Sequence, residues 1–253
     1  MTLAACIAVI GSTASPAFSD AITVSISAVA NGATGIISNQ NSSLTSTDYT
    51  WKKGATDSVE ANLTSGTLTI SNYSNSIVNG TLNATGGTIK LTSGVLTIGS
   101  DSTISSAILN QSYGSTLNIA GGSAYLSDSD SLEGEIVVSS GILGLDGAIL
   151  NDDLTITGGG VISDSNTVIN GTTTISGGSN DFNSTTFGNV SISDGTSSFT
   201  DVSKNGTFTQ TSGSTTIVGS GFDLDNDADN ISGGTLNIGN GSTTTVGVSA
   251  GTI

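Results

Sequence analysis

The 253-residue chain contains no histidine, no arginine, four lysines, one cysteine and one proline. Without histidine it lacks the usual general base of enzymes and the commonest metal ligand. Without arginine it cannot hold a carboxylate or a phosphate through two parallel hydrogen bonds. The single cysteine, Cys6, cannot form a disulfide within the chain. The lack of histidine excludes histidine-based catalysis, and removal of residues 1–19 as a signal peptide would take away Cys6 and with it thiol-based catalysis, which leaves carboxylates as the main reactive groups.

Charge is scarce and almost entirely negative. Charged residues make up 9% of the chain, and 20 acidic residues against four lysines give a formal net charge of −16. This excess repels phosphate backbones and anionic lipids, so we do not expect nucleic acid or an anionic membrane surface as a partner. Hydrophobic residues still make up 35% of the chain and are regularly spaced, which argues against a disordered tract.

The first 19 residues have the pattern of a secretion signal. An apolar run from Leu3 to Ile10 leads into small residues, and Ala17-Phe18-Ser19 has the form of a cleavage site. We therefore expect residues 1–19 to be a signal peptide and the mature chain to be exported. No lysine or arginine precedes the run, so a start further upstream or an apolar amino-terminal strand stays open as an alternative.

The strongest pattern is a glycine turn that recurs every seven residues or a multiple of seven. Two and four residues after Gly66, Gly87, Gly94 and Gly234 stand apolar side chains, as in GGTIKLTSGVLTIG and SGGTLNIG. Alternation with period two is typical of a strand with one buried face. The best copies lie three such units apart, as Gly66 and Gly87 do, so three strands and three corners make one coil. The sequence predicts an all-β parallel β-helix with coils of about 21 residues, and favours it over an antiparallel sandwich or barrel.

Three segments follow from this pattern. Residues 1–19 are the expected signal peptide. Residues 20–60 interrupt the repeat, contain Tyr49 and Trp51, and are expected to form an amino-terminal cap. Residues 61–253 are expected to form a β-helix of about nine coils that is truncated at its carboxyl end. The seven-residue phase is lost between about 123 and 170 and near 185–200, which we interpret as insertions or as loops that leave the coil.

The same pattern predicts which side chains point into the core. The expected inward residues are Leu68, Ile70, Ile89, Leu91, Leu96, Ile98, Leu117, Ile119, Leu236 and Ile238. The expected outward residues are Thr67, Thr69, Lys90, Thr97 and Asn237. Threonine rows such as Thr172–Thr174 could form hydroxyl arrays, but in the seven-residue phase they are not expected to recur on one face in successive coils.

The repeated GGTLNIG and SGVLTIG tracts, in a chain rich in Ser, Thr and Asn behind an export signal, resemble passenger regions of bacterial autotransporter and haemagglutinin-type adhesins. The resemblance covers roughly residues 60–253 and rests on the style of the repeat. It implies a right-handed β-helix at the cell surface, the outer membrane or outside the cell. It also implies partners among host or neighbouring cell-surface glycans or proteins, and an outer-membrane translocator that this chain is not expected to encode.

We therefore expect a surface adhesin or structural stalk and not an enzyme, with a passive spacer as a further hypothesis. The alternative is a β-helical enzyme that degrades polysaccharides through carboxylates. Its candidates are Glu133 and Glu135 in SDSDSLEGE, which on a strand would share a face about 6.6 Å apart. That separation lies within the roughly 6.5–9.5 Å of inverting glycosidases, although any two such acids on a solvated strand would show it.

The densest acidic run is GSGFDLDNDADN at residues 219–230, in which Asp223, Asp225, Asp227 and Asp229 occupy alternate positions. Counted from Gly213, all four would point into the apolar core, and burial of unpaired carboxylates is prohibitive. We expect the segment to leave the coil as a loop or a bulge to turn it outward. The four aspartates are also the candidate ligands of a calcium ion, with a plain solvated loop as the alternative. No other cofactor is expected.

Overall fold

The computed structural model describes residues 22–26, 41–44, 59–63, 67–70, 81–224 and 228–239. This part of the chain is all-β and has no helix. Its strands pair in parallel and stack as a β-solenoid of about 8 turns, with equivalent residues about 19 positions apart. The predicted fold class, an all-β parallel β-helix, is confirmed.

The strands stack on three faces, and from Thr88 to Val218 the chain visits them in the order A, B, C in each turn. Face A is formed by β2 (Asn41–Leu44), β4 (Thr67–Ile70), β6 (Thr88–Leu91), β9 (Ile108–Gln111), β11 (Ser131–Leu132), β13 (Ile149–Leu150) and β18 (Ser203–Lys204). Face B is formed by β7 (Gly94–Gly99), β14 (Leu154–Ile156), β19 (Phe208–Gln210) and β21 (Asn230–Ile231). Face C is formed by β1 (Ile22–Ile26), β3 (Val59–Leu63), β5 (Thr81–Ala84), β8 (Thr103–Ile104), β15 (Gly160–Asp164), β20 (Ser214–Val218) and β22 (Thr235–Ile238).

Four longer strands bend around the corners and so belong to more than one face. β10 (Ser115–Ser127) and β12 (Glu135–Asp146) run from face B to face C, and β16 (Val168–Asn183) and β17 (Thr186–Thr200) cover all three. Register shifts interrupt the pairing of β16 with β17 on both sides of Ser176, where the backbone turns from face B to face C. The corners of these coils are therefore bulges rather than separate loops.

The length of a coil varies along the solenoid. The pairing of Leu96 with Leu117 closes a coil of the predicted length, but the pairing of Ile175 with Ile192 closes a shorter one. The pairings of β1 with β3 and of β2 with β4 close coils longer than predicted. The predicted coil length is correct from β3 to about β11 and again in the last described coil, and it is wrong between them. The seven-residue phase is lost there because the corners contain fewer residues, and not because of the insertions that the sequence pattern suggested.

The corner between faces B and C is lined by glycines. Gly141, Gly159 and Gly178 have φ values of 86°, 69° and 81°. A Cβ atom at Gly159 would lie 2.6 Å from the carbonyl oxygen of Gly141, and one at Gly178 would lie 2.6 Å from that of Gly159. Successive coils therefore touch backbone to backbone at this corner, and both the positive φ and the close approach require glycine.

The predicted core positions are confirmed wherever their side chains lie well inside the described stack. The fully buried residues of the predicted set are Ile89, Leu91, Leu96, Ile98, Leu117 and Ile119. Lys90 and Asn237 are exposed as predicted, and Thr97 is half-buried on the outer side. The side chains of Leu68, Ile70, Thr67 and Thr69 lie outside the described part of the structure.

The last described strand departs from the predicted burial. Ile238 pairs with Ile217 as the register requires, but it is 47% exposed, so its predicted burial is wrong. Leu236 is only partly buried against the core. Both residues lie on β22, and the structure describes a neighbouring strand, β20, on only one side of β22.

Phenylalanines fill the core where the coils are shortest. Phe182 stacks on Phe199 with ring centroids 5.3 Å apart, and Phe199 stacks in turn on Phe222 at 5.5 Å. Phe187 and Phe208 meet these rings edge to face. Such pairs contribute about 0.5–1.5 kcal/mol each beyond the area that they bury. Aromatic packing therefore replaces the aliphatic packing of the earlier coils.

Two described strands fall within the expected cap region of residues 20–60. β1 pairs in parallel with β3, and β2 pairs in parallel with β4, so both continue the stack of faces C and A. Residues 1–19, Tyr49 and Trp51 lie outside the described residues.

Candidate functional site

Two glycines at the start of the acidic segment change which residues of the chain point into the core. Gly219 and Gly221 have positive φ values of 88° and 100°. After them the even-numbered residues point inward, so Phe222 and Leu224 are buried and Asp223 is exposed. The prediction that a local distortion would turn the acidic run outward is confirmed at Asp223. The physical reason is that an unpaired carboxylate in the apolar core would cost several kcal/mol.

The prediction is wrong at Asp229, whose carboxylate stays buried instead of turning outward. Asp229 lies in register with Phe208 at an inward position, and its side chain is almost fully buried. Lys204 places its Nζ 2.8 Å from Asp229 Oδ2, and the N–H of Phe208 donates to Oδ1 at 2.7 Å. The Lys204 ammonium also donates to the carbonyl oxygen of Gly206 at 3.2 Å. The buried carboxylate is thus both neutralised and hydrogen-bonded.

The calcium hypothesis concerns four aspartates that have different environments. Asp223 is exposed, Asp229 is buried against Lys204, and Asp225 and Asp227 lie outside the described residues. Among residues 81–224 and 228–239, no three His, Cys, Asp or Glu side chains are grouped so that they could hold a metal ion. The calcium site and the plain solvated loop therefore stay alternative predictions for this segment.

The two glutamates of the enzyme hypothesis lie on either side of a corner. β11 ends at Leu132 and β12 begins at Glu135, so Glu133 and Glu135 do not share the face of one strand as expected. Between them Gly134 is buried, and a Cβ atom there would lie 2.2 Å from the carbonyl oxygen of Ser115. The close contact with the preceding coil leaves room only for glycine at this corner.

Each of these glutamates accepts a hydrogen bond from the next coil. Asn151 Nδ2 donates to Glu133 Oε1 at 2.8 Å, and Thr155 Oγ1 donates to Glu135 Oε1 at 3.3 Å. Asn170 Nδ2 extends the first contact by donating to Asn151 Oδ1 at 2.8 Å. The glutamates therefore belong to polar ladders that tie neighbouring coils together, which the sequence pattern did not indicate.

Asp130 uses its carboxylate in place of a backbone acceptor. Its Oδ1 accepts the N–H of Leu109 from the preceding coil, and its Oδ2 accepts the N–H of Ser127, both at 2.5 Å. Burial raises the pKa of the Asp130 carboxyl above its usual value of 3.8, while these two hydrogen bonds act in the opposite direction. Asp130 lies between the end of β10 and the start of β11, and its carboxylate there accepts backbone N–H groups that no strand pairing satisfies.

Face B carries a row of outward side chains that are all polar except Val137. The register aligns residues of seven successive coils in one column, and they are Thr97, Asn118, Val137, Thr155, Thr174, Ser191 and Thr209. All of them are half-buried by their neighbours in the column. Threonine occupies four of these seven positions, but Asn118, Val137 and Ser191 interrupt it, so no threonine row recurs in every coil, as expected. The alignment of Thr155 with Thr174 has no fixed phase in the sequence because the coils differ in length.

A second column runs beside the first on the same face. Thr116, Glu135, Asp153, Thr172, Asn189 and Thr207 lie two residues before members of the first column, so their side chains point to the same side of the sheet. Hydrogen bonds link successive members: Thr172 N–H donates to Asp153 Oδ1 at 2.7 Å, and Thr207 N–H donates to Asn189 Oδ1 at 3.0 Å. We refer to the two columns together as the face B rows.

Comparison of the chain with protein-family models, curated proteins and solved structures finds no match. Within the part of the chain that the structure describes, no helix has the length and apolar character needed to span a membrane.

Proposed function

We propose that this chain is an exported, surface-displayed β-solenoid that acts as an adhesin or structural stalk. The observation that carries the proposal is the pair of face B rows, in which hydroxyl, amide and carboxylate groups repeat from coil to coil in fixed register. About 8 turns at about 4.8 Å each correspond to a rod of roughly 38 Å. A rod of this kind holds a repetitive surface away from its point of attachment.

The rows would bind through many weak contacts rather than through one deep site. Backbone hydrogen bonds between coils fix the positions of Thr155, Thr174 and Thr209, so a repetitive ligand can meet several of them at once. Contacts that form together raise the overall affinity well above that of any single contact. The expected partners are glycans or proteins on host or neighbouring cells, which can offer such repeated hydrogen-bonding groups.

Export and surface location are supported by the sequence. Residues 3–19 have the pattern of a secretion signal, and the repeat tracts resemble passenger regions of autotransporter adhesins. A passenger of that kind reaches the surface through an outer-membrane translocator, which we include in the proposal as a partner. The low content of lysine also keeps a rod with many acidic groups soluble and separate from its copies.

The experiment is a binding isotherm of the fluorescently labelled protein on intact cells and on immobilised glycans. An adhesin gives saturable binding that the unlabelled protein displaces, whereas a passive spacer gives none. Incubation with soluble polysaccharides and measurement of new reducing ends tests the hydrolase hypothesis in parallel. If the unmodified protein releases reducing ends and Glu133→Gln or Glu135→Gln does not, the protein is an enzyme and the adhesin proposal is wrong.

A further inference from the structure

The outer surface of face C carries an apolar strip in the middle coils. Tyr125, Ile142 and Ile162 point outward on β10, β12 and β15 and are 47%, 38% and 54% exposed. The register aligns Tyr125 with Gly144 and Gly144 with Ile162, so the three side chains lie on adjacent coils. Single exposed apolar residues are ordinary, but a contiguous group marks an interaction surface. We call Tyr125, Ile142, Gly144 and Ile162 the Tyr125 strip.

The Tyr125 ring is supported from below by a glycine. A Cβ atom at Gly144 would lie 2.5 Å from Tyr125 Cδ1 and 3.1 Å from Cε1, so the ring leans over the backbone at that point. Any larger residue at position 144 would lift the ring. The ring is thus held against the sheet on one side, and nearly half of the side chain is open to solvent.

Two carboxylates border the strip along one edge. Asp146 follows Gly144 by two residues on the same side of β12, and it pairs in register with Asp164 on β15. Both side chains are exposed. Asp164 Oδ1 accepts the N–H of Ser165 at 2.8 Å and the Nδ2 of Asn183 at 3.3 Å, which fixes its orientation. The carboxylate of Asp146 has no hydrogen-bonding or ionic partner among the described residues.

No positive charge of the described chain balances this pair. The two lysines in that part are Lys90, which is exposed on face A, and Lys204, which is buried against Asp229. Strands that are paired lie about 4.8 Å apart, and like charges directly opposite each other are destabilising. A cation from outside the chain would relieve this repulsion.

We propose that the Tyr125 strip and the Asp146–Asp164 pair form a docking site for an arginine-rich, extended segment of a partner protein. The guanidinium group of arginine binds a carboxylate through two parallel hydrogen bonds and also stacks on the face of an aromatic ring. Its aliphatic stem covers apolar side chains such as Ile142 and Ile162 while its charged end reaches the carboxylates. One residue type thus satisfies the aromatic, aliphatic and acidic parts of the site.

The charge of the chain argues against the other occupants. A second copy would bring another net charge of −16, and anionic lipids and nucleic acids are repelled for the same reason. A neutral sugar could stack on Tyr125 but would leave the repulsion between Asp146 and Asp164 unrelieved. The site lies on face C, away from the face B rows, so the inference goes beyond the proposed function and does not rest on it.

The test is a fluorescence anisotropy titration of the protein into a labelled synthetic peptide of alternating arginine and glycine. Three changes address the three parts of the site: Tyr125→Ala, Gly144→Ala, and Asp146→Asn with Asp164→Asn. The matched control is Glu133→Gln with Asp194→Asn, which removes the same charge from two exposed acids outside the site. In the control each amide oxygen can still accept the hydrogen bond that the carboxylate accepted.

We expect saturable binding by the unmodified protein that weakens as salt is added. The double change at Asp146 and Asp164 should weaken binding about tenfold or more, and Tyr125→Ala and Gly144→Ala several-fold, while the control changes it by less than about twofold. Circular dichroism of each variant verifies that the fold is kept. Gly144→Ala is informative because it alters neither charge nor the aromatic group.

Three results would overturn the proposal. An equal loss in the control pair would show that the peptide responds only to net charge. Binding that survives Tyr125→Ala and Gly144→Ala would show that the apolar strip is not part of the site. Binding of a neutral cello-oligosaccharide that depends on Tyr125, without binding of the peptide, would assign the strip to a sugar instead.

Discussion

Lys204 Nζ lies 2.8 Å from Asp229 Oδ2, and the two side chains form a buried ion pair between adjacent coils. The residues are 25 positions apart in the chain. The pair allows the chain to rejoin the coil at Asp229, because the buried Asp229 carboxylate meets a cation there. An ion pair of this kind is strongly destabilised when only one partner is removed.

Lys204→Met should therefore destabilise the protein. It leaves Asp229 buried without its cation, and the expected loss in the free energy of unfolding is about 3–5 kcal/mol. Urea unfolding followed by circular dichroism measures it. Lys90→Met is the matched control, because Lys90 is exposed, and its effect should stay within about 0.5 kcal/mol. Addition of Asp229→Asn to Lys204→Met should recover part of the loss, and equal stability of the single and double variants would contradict the account.

The strand register predicts opposite consequences for two neighbouring residues. Ile98 is fully buried in the core, and Thr97 lies on the outer side of β7. Ile98→Asp should cost several kcal/mol because it buries an unpaired carboxylate. Thr97→Asp should cost less than about 1 kcal/mol. Thermal melting of the two variants measures the difference, and equal shifts in melting temperature would be incompatible with the register.

The sequence predicts the parts of this fold that obey a fixed period. Leu96 and Leu117 stand in the seven-residue phase, and the structure pairs them. Between Ile136 and Phe199 the coils are shorter than the predicted length and differ from one another, so a fixed phase could not locate the partner of each strand. The alignment of Thr155 with Thr174 was missed for this reason. Contacts such as Lys204–Asp229 depend on local bulges and leave no periodic signal.

Asp130 should give the protein a measurable dependence on pH. Its folded-state pKa is raised by burial above the usual 3.8, so the protonated form is favoured in the folded protein. The stabilising contribution is complete below the unfolded-state pKa and is lost as the pH rises through the folded-state pKa. The melting temperature of the unmodified protein should therefore fall more between about pH 3 and pH 7 than that of Asp130→Asn.

The control for this pH experiment is Asp194→Asn, which removes an exposed carboxylate and should leave the pH dependence unchanged. Asp130→Asn is expected to be less stable at every pH, because its amide group faces a backbone N–H donor. The test therefore depends only on how steeply the melting temperature changes with pH. If the melting temperature changes with pH equally in Asp130→Asn and in the unmodified protein, Asp130 is not the source of the pH dependence.

The acidic segment should not respond strongly to calcium. Asp229 is already neutralised by Lys204 and Asp223 is exposed, so we expect millimolar calcium to leave the melting temperature unchanged. Thermal melting with calcium and with a chelator measures this. A rise in melting temperature that Asp225→Asn with Asp227→Asn abolishes would instead establish a calcium site.

The most direct test of the proposed function is a cell-binding isotherm of a protein that lacks four of the face B hydroxyls. The changes Thr155→Val, Thr174→Val, Ser191→Ala and Thr209→Val remove the hydroxyls and keep side chains of similar shape on the strands. The matched control removes hydroxyls from face C by Thr196→Val, Ser198→Ala, Ser214→Ala and Thr216→Val. The account predicts that the face B variant stays folded and binds cells at least about tenfold more weakly, while the control binds like the unmodified protein. Equal binding by all three proteins would contradict attachment through the face B rows.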